Sequence, residues 1–522
     1  MDTKALRQKI LDLAIRGKLV PQDPNDEPAS VLLEKIREQK QQMFKEGKLK
    51  KKDIKNDSII FKGEDNLHYE KFQDGTAKCI EDEIPFELPE GWAWARIFSI
   101  TEDLPYGTAK KSMQTGLVAV LRMGNIQSGE IDYSDLVYSS DIDDIAKYTL
   151  IKNDLLFNRT NSAEWVGKTA IYRGNIPAMY AGYLIRMRAF IDSEYLNVVM
   201  NSGYAKAYCN SVKTDGVNQS NINAQKLGNF LVPIPSPAEQ KRISTNIVDL
   251  IPRISMIQRE KEHIAELILQ TKAKILDLAI HGKLVPQNPD DEPASVLMER
   301  IRAEKEELIK QGKIKRDKKE SIIFKGEDNS YYEKIGDKIE NIDDEIPFDL
   351  PDSWSWCRGY SCFEGVKSTK PQGEFFDYID IDAIDNRLHR IKASKHLLVS
   401  DAPSRANREV KIGSVLFSLV RPYLENIALV EEKHSHCIAS TGFYVCNSNG
   451  VFLPEFMFYL MISGYVVGGL NRYMKGDNSP SINKDNIEGW LYPIPPIEEQ
   501  KKIFTKLQTV FAMIESVEKG LN

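Results

Sequence analysis

The chain has 522 residues, of which 42% are apolar and 28% charged, and its formal net charge is −6. Such a length exceeds one ordinary core and predicts three or four folding units at roughly 100–200 residues each. No apolar run reaches the ~20 residues of a membrane span, MDTKALRQKI lacks the core of a signal peptide, and six cysteines without a C-x-x-C pair exclude a disulfide scaffold or zinc finger.

The expected location is therefore the cytoplasm. The cluster HSHC (His434 to Cys437) has no second ligand pair at zinc-finger spacing, so no metal is expected. Net acidity argues only weakly against nucleic acid, because the field at a binding face outweighs the total.

In chain order, the first long pattern is KILDLAIRGKLVPQDPNDEPASVLLEKIR from Lys9. It returns from Lys274 as KILDLAIHGKLVPQNPDDEPASVLMERIR, with 24 of 29 positions identical. In both copies DEPASVL opens a second, shorter helix that runs into lysines, KEGKLKKKDIK (Lys45 to Lys55) and KQGKIKRDKK (Lys310 to Lys319). A solvated helix end and a contact with DNA phosphates or an acidic partner both fit those segments. SIIFKGEDN from Ser58 recurs from Ser321, EIPFELPEGWAW from Glu83 as EIPFDLPDSWSW from Glu345, and LVPIPSPAEQKRI from Leu231 as LYPIPPIEEQKKI from Leu491. The offset drifts only from 265 to 260. The protein is an internal duplication of two large halves, too long in period for a solenoid.

Residues 86–235 and 346–495 are the variable parts. Short runs such as LVAVLRM, TAIYR, YLIRMRAF, SVLFSLV and GFYVCN, punctuated by Gly, Asn and Asp, predict two α+β domains with a curved or twisted sheet. Between 150–186 and 410–446 only Leu156/Leu416, Phe157/Phe417 and Gly182/Gly442 coincide. The repeated parts are thus expected to make one contact twice, and the divergent parts to meet two different ligands. Basic residues are segregated: seven against three acidic from Arg159 to Lys213, and seven against two from Arg387 to Lys411.

Arginine can pair bidentately with guanine, and Asn or Gln with adenine. Candidate DNA contacts in the first domain are Arg122, Asn125, Arg159, Asn161, Ser162, Lys168, Lys213, Asn218, Gln219 and Ser220. Those in the second are Arg387, Arg390, Arg405, Arg408, Arg421, Asn426, Arg472, Lys475, Asn478 and Ser479. Each could instead hold a turn or a phosphate; Asn221 and Asn223 fit a turn, and Gly182 and Gly442 a backbone role.

After Pro235, Ser236 with Glu239 makes a capping box and Pro237 takes the first helical position. A four–three stagger then gives Ile243, Ile247, Leu250, Ile254, Ile257, Lys261, Ile264, Ile268, Thr271, Ile275 and Leu278, nine of eleven apolar, a coiled-coil seam. Pro252 should kink the helix, and Gly282 with Pro286 should end it; at ~1.5 Å per residue the rod measures about 65 Å. The C-terminus repeats the first part of the seam (Ile503, Leu507, Val510, Ile514, Val517, Leu521) and the N-terminus the rest (Leu6, Ile10, Leu13). By alignment only three residues are missing between Asn522 and Met1. The expectation is two long antiparallel helices, one split between the chain ends, with a globular domain at either end and a pseudo-two-fold axis. The segments are then 1–85 (helical, with lysines), 86–235, 236–345 (long helix, short helix, linker), 346–495 and 496–522.

No phosphate-binding loop, G-x-G-x-x-G, H-E-x-x-H, G-x-S-x-G or amino-methyltransferase N-P-P-[FY] motif occurs. What repeats is packing, capping and Pro-Trp framework, which points to a binding protein and not an enzyme. The paired LPEGWAW/LPDSWSW and VPIPSPAEQKRI/YPIPPIEEQKKI motifs, joined to KILDLAIxGKLVPQ helices, resemble the specificity subunits of type I restriction–modification systems over nearly the full chain. The resemblance implies a non-catalytic subunit with two target-recognition domains on conserved antiparallel helices, each reading one half of a bipartite, asymmetric double-stranded DNA site. It also implies two methyltransferase subunits as partners, which hold S-adenosylmethionine (this chain needing no cofactor of its own), and restriction–translocation subunits through them. A full framework block ahead of the first domain, and the lysine-rich segments at 40–80 and 305–340, depart from the family pattern. The rival readings are a protein–protein scaffold without DNA and a self-contained DNA-modifying enzyme.

Overall fold

A computed structural model describes residues 2–216, 219–313 and 319–521. The chain divides into two compact units, Met1–Glu260 and Lys261–Asn522. Five helices carry the repeated sequence: α1 (Thr3–Ile15), α2 (Ala29–Lys45), α3 (Pro237–Ile280), α4 (Ala294–Lys310) and α5 (Ile497–Leu521). The predicted long helix is α3, 44 residues without interruption at Pro252.

Each unit contains one antiparallel helix pair. In the first, Leu11, Ala14 and Ile15 of α1 share a core with Ile243 and Ile247 of α3, while Thr3 at the other end donates to Gln258. In the second, Leu276, Ala279 and Ile280 of α3 share a core with Ile503 and Leu507 of α5, and further along Lys272 pairs with Glu518 at 3.0 Å.

The seam is only partly as expected. Ile243, Ile247, Ile254, Ile268, Ile503 and Leu507 are buried, while Leu6, Ile10, Leu13, Leu250, Ile264, Ile275, Val510 and Ile514 are half-buried. Val517, 56% exposed, does not belong to it, nor does Ile257. A seven-residue repeat drifts about 20° per heptad on a straight helix, and at that end of α5 the contact is the Lys272–Glu518 ion pair. On α1 the buried set is a broad face, not a narrow seam. Its second neighbour is the helix Ser193–Met200, whose Tyr195, Leu196 and Val199 join the same core.

The lysine-rich continuations lead into something periodicity did not announce: a three-stranded antiparallel meander. It comprises Ser58–Lys62, His68–Phe72 and Ala77–Cys79 in the first unit, and Ile322–Lys325, Tyr331–Ile335 and Lys338–Asn341 in the second. In the first unit Lys51–Ile54 adds one helical turn before it. Residues 314–318 of the second lysine segment lie outside the described residues.

Each variable segment opens and closes in one two-stranded ladder. Ala93–Arg96 pairs antiparallel with Leu231–Ile234, and Ser355–Arg358 with Leu491–Ile494. The tryptophan motif and the Pro-x-Pro motif are thus neighbours in space. Between them lie several small sheets and not one continuous curved sheet. Among the described residues the largest has five strands, built around Leu155–Asn158 and Thr169–Ile171 in the first unit, and four around Phe375–Ile379 and Ile438–Ser440 in the second.

Candidate nucleic-acid interface

The repeated motifs converge on one junction per unit. α1 ends at Gly17, whose φ of +63° belongs to the left-handed region. A Cβ there would stand 2.6 Å from the Pro89 ring and 3.2 Å from Trp92. Trp92 Nε1 donates to Glu239 at 2.9 Å, and the Glu239 N–H donates to Ser236 Oγ at 3.0 Å. Only half of the expected capping box exists, because the Glu239 carboxylate turns to tryptophan instead of the cap. Gln240 donates to Pro235 O at 3.0 Å and accepts from the Asp192 N–H at 2.9 Å.

The second unit repeats the arrangement. Gly282 (φ +66°) lies against Pro351 and Trp354. Trp354 donates to Glu499 at 2.9 Å, and Gln500 donates to Pro495 O at 3.0 Å and accepts from the Leu453 N–H at 2.8 Å. Burial pushes both the Glu239 and the Glu499 carboxyl upward.

A second repeated knot fixes the meander. Arg96 reaches Glu70 and Glu83, both at 2.7 Å, and Asn229 O at 2.6 Å. Arg358 reaches Glu333 at 2.9 Å, Glu345 at 2.7 Å and Gly489 O at 2.9 Å.

Away from the junctions, the structure joins the loops that sequence composition singled out. In the first unit Thr160–Asn161 pairs with Ser220–Asn221, which pairs with Thr214–Asp215. The stretches FNRTNS and KTDGVNQSNIN therefore form one tip. Arg159 lies over the Tyr106 ring at 4.6 Å and donates to Gly182 O at 3.2 Å and Asn221 Oδ1 at 3.3 Å. Lys168 sits 3.8 Å over exposed Trp165 and donates to Gln127 at 3.1 Å; Lys213 reaches Ala163 O at 3.3 Å. Ser162 and Gln219 are exposed and Asn161 half-buried. Asn218 lies outside the described residues.

Two candidates in this unit are corrected. Asn125 is 3% exposed, and its amide is spent on Asp132 O and Asp135 O, 2.8 and 2.9 Å away. Ser220 is also buried and donates to Asp215. Both build turns. Arg122 is half-buried and paired with Asp135 at 2.8 Å. Asn221 accepts from Arg159, and Asn223 caps the following short helix by accepting from the Lys226 N–H at 2.9 Å.

In the second unit the equivalent loops meet through the bridge Val420↔Ser481. Arg421 donates from its side chain to Asn478 O and from its backbone to Pro480 O, at 2.9 and 2.8 Å. A third loop joins them, because Asn386 donates to Leu424 O at 2.8 Å. Arg421, Glu425 and His389 all adopt positive φ (+47°, +54° and +48°), a concentration of backbone strain typical of ligand-gripping segments. Arg472, Lys475, Asn478, Ser479, Arg387, Arg390 and Arg405 are exposed; Arg408 and Asn426 are half-buried. Of HSHC, His434 and Cys437 are buried and His436 contacts Asp377 at 2.8 Å.

The basic strips shrink once pairing is known. Arg173 is held by Glu130 and Glu194, Arg186 by Asp103, and Arg188 by Asp154 and Glu102. In the second strip Lys395 pairs with Asp382 and Lys411 with Glu364, whereas Arg387, Arg390, Lys392, Arg405 and Arg408 form no ion pair among the described residues. Sequence reading passed over the exposed aromatics beside these cations: Tyr106, Trp165 and Tyr183 in one unit, Tyr423 and Tyr473 in the other. Interleaving of aromatic with basic residues was the signal for them.

Residues 368–522 match the family described as the type I restriction modification DNA specificity domain. The chain is 27% identical to the type I restriction enzyme EcoAI specificity subunit of Escherichia coli, over 97% of this chain and 88% of that one. It is 24% identical to the EcoEI specificity subunit of the same species, over 99% and 90%. Among solved structures, a chain described under complex assembly and conformational transition of the type I R-M system superposes with a TM-score of 0.51 at 15% identity, covering 84% of this chain and 94% of that one; it supports the fold. Over nearly its full length the chain is thus similar to specificity subunits of type I restriction–modification systems, and its C-terminal third matches their DNA specificity domain.

Proposed function

We propose that each unit of this specificity subunit reads one half of a split, asymmetric DNA target through its loop tip. The observation that carries the reading is the contrast between the units: the same Trp–Glu junction bears a chemically different tip in each. One is an Arg159–Tyr106 stack beside Lys168 and Lys213. The other is a strained cluster around Arg421, joined through the Asn386–Leu424 bond to the loop that carries Arg387. Unlike tips on like mounts suit two unlike half-sequences. Arginine forks suit base edges and lysines suit phosphates.

In this reading residues 86–235 and 346–495 are the two recognition domains. α5 and α1 act as the two pieces of a second rod antiparallel to α3, with a pseudo-two-fold axis relating the halves, and rod length sets the unread spacer. Half-sites about one DNA turn apart, ~34 Å, are within the span of such a rod. The protein is cytoplasmic, contributes sequence choice and not catalysis, and seats two methyltransferase subunits carrying S-adenosylmethionine. Restriction–translocation subunits join through them. The lysine segments lie along DNA phosphates or an acidic face of a partner.

The test is exchange of residues 346–495 for the matching domain of another specificity subunit, followed by mapping of methylated adenines in host DNA. One half of the target should change and the other persist; a change in both halves ends the modular reading. Binding should also weaken with salt, with a log–log slope of about −0.9 per phosphate contacted.

A further inference from the structure

We propose that Glu239 and Glu499 are positioning residues that fix the angle between each recognition domain and its helix pair, and thereby the spacer length the subunit accepts. The inference rests on the DNA-reading role argued above and assigns one of its variables, spacer selectivity, to two side chains that are not among the candidate base contacts.

The bond between indole and carboxylate is the same twice. Each carboxylate stands at the third position of a long helix, with its own N–H on the cap in the first unit. Each accepts an indole N–H at 2.9 Å from the tryptophan that leads into the recognition domain. In the second unit its other oxygen accepts from Gln287 at 2.6 Å. Gln287 belongs to the stretch that follows the left-handed end of α3, and it also donates to Gly282 O at 3.1 Å and accepts from Ser353 at 3.1 Å. One carboxylate therefore ties together the start of one helix, the end of its antiparallel neighbour and the first strand of the domain. Trp354 is 5% exposed and Glu499 1%. Burial makes this bond hard to exchange for water, because a buried indole N–H stranded there would go without a partner and the carboxylate would lose one of its donors.

The lever arm explains why such a joint matters. A domain of 150 residues has a radius of gyration of about 15 Å, so a loop one domain diameter from the joint sits about 30 Å away. One base-pair step is about 3.4 Å along the duplex. A tilt of roughly 7° at the joint would thus slide a reading loop by one base pair on these dimensions. From one helix pair to another, packing leaves about 15–20° of spread in crossing angle, so packing class by itself does not set the angle this finely. A directional, buried hydrogen bond supplies the missing stiffness, and its repetition in both units is what a symmetric spacer ruler needs.

The experiment uses the complex isolated from the host through a tagged full-length chain, a pool of random-sequence DNA duplexes and methyl donor, with methylated adenines read by sequencing. Wild type should return two half-sequences at one spacer length, preferred over neighbouring lengths by about tenfold or more, the scale of one wrong base pair. Glu239→Ala and Trp92→Phe should return the same half-sequences with the spacer spread over adjacent lengths and the preference reduced below about threefold. Trp92→Phe keeps an aromatic ring beside Tyr195, which the indole meets edge-on, and decides the matter if Glu239→Ala does not fold. Glu239→Gln, which still offers a carbonyl oxygen to the indole, should restore the single length. A single unblurred spacer in both Glu239→Ala and Trp92→Phe overturns the positioning role while leaving the DNA-reading role standing. Loss of a half-sequence with the spacer intact overturns it too, placing Glu239 in support of the tip. A wild-type pool with no bipartite sequence removes the reading on which the inference is built.

Discussion

The junctions and the tips of the two units have followed opposite rules. At the junctions, Trp92–Glu239 and Trp354–Glu499 share a 2.9 Å bond, and both helix ends close on a left-handed glycine. At the tips, the corresponding loops share a topological pairing, Thr160–Asn161 with Ser220–Asn221 and Val420 with Ser481, but almost no chemistry. One tip presents cations damped by aromatic stacking and by ion pairs behind it; the other presents arginines that form no ion pair among the described residues, with Arg421 on strained backbone. Pairing of backbone strands constrains a loop's path without constraining its side chains, so a domain can change what it touches and keep how it is mounted. Ways to break that comparison range from the mounts, where effects should be largest, to a single buried acid.

Arg96→Ala should be the most damaging single change. It strands Glu70, 4% exposed, without its cation. Removing one partner of a buried pair costs about 3–5 kcal/mol. Arg358→Ala should cost less, because Glu345 is more open to water than Glu83, 54% against 37%. Denaturant unfolding of the full chain checks both, and equal losses would show that exposure of the second acid does not matter. The double change Arg96→Met with Glu70→Leu should recover much of the loss, since the cost lies in the unpaired charge.

Gly17→Ala and Gly282→Ala come next. Each puts a side chain into positive φ, about 1–3 kcal/mol of strain, and each adds a Cβ against a proline ring. The two should lower Tm alike. A tolerant Gly17 beside an intolerant Gly282 would mean that the junctions are equivalent in sequence only.

Substitution at the tips should spare stability and divide the target. Arg421→Ala should cost about 1–3 kcal/mol in binding and relax one half-sequence only, while Arg159→Ala relaxes the other. Affinity measured on the same DNA with each half scrambled in turn separates these outcomes. Lys168→Ala and Lys213→Ala should instead weaken all sequences evenly, lowering the salt slope by about 0.9 per lysine that touches a phosphate.

What could be seen in the sequence is what local chemistry determines. The 44-residue helix, its Ser236 cap and its end before Gly282 were all legible, because caps, periodicity and left-handed glycines act within a few residues. The partner of Glu239 was not, since Trp92 lies 147 residues away and a nearer partner, the cap itself, looked sufficient. The basic strips were overcounted for the same reason: Arg186 finds Asp103 across 83 positions. The meander at 58–79 was hidden by its lysines, because only one strand residue, Glu70, is fully buried and the alternation of apolar residues is correspondingly faint. Positive φ at His389, Arg421 and Glu425 left no trace, there being no glycine to mark it.

The mildest test concerns a place where the two mounts differ. In the first unit Lys40, 1% exposed, pairs with Asp57 at 2.7 Å and donates to Phe98 O at 2.7 Å, beside a groove of about 530 Å³ between α2 and the meander. The counterpart pair, Lys305–Glu320 at 3.0 Å, is more open to water, and the groove beside it shrinks to about 20 Å³. Burial pushes the Asp57 carboxyl up to about 6 despite the ammonium beside it. A carboxyl whose folded pKa exceeds its unfolded value of about 3.9 binds its proton more tightly when folded. Its contribution to stability is therefore full below about pH 4 and is lost as pH rises through 6. Between pH 7 and 5 that contribution should grow by an amount on the order of 1 kcal/mol, or roughly 2–4 °C in Tm for a unit of this size. Asp57→Asn removes it, so the Tm difference between wild type and Asp57→Asn should move in favour of wild type as pH falls across this window. Glu320→Gln run alongside sharpens the comparison: the same pH dependence there would mean that the closed groove of the second unit hides an equivalent acid, and that the two mounts differ in shape but not in electrostatics.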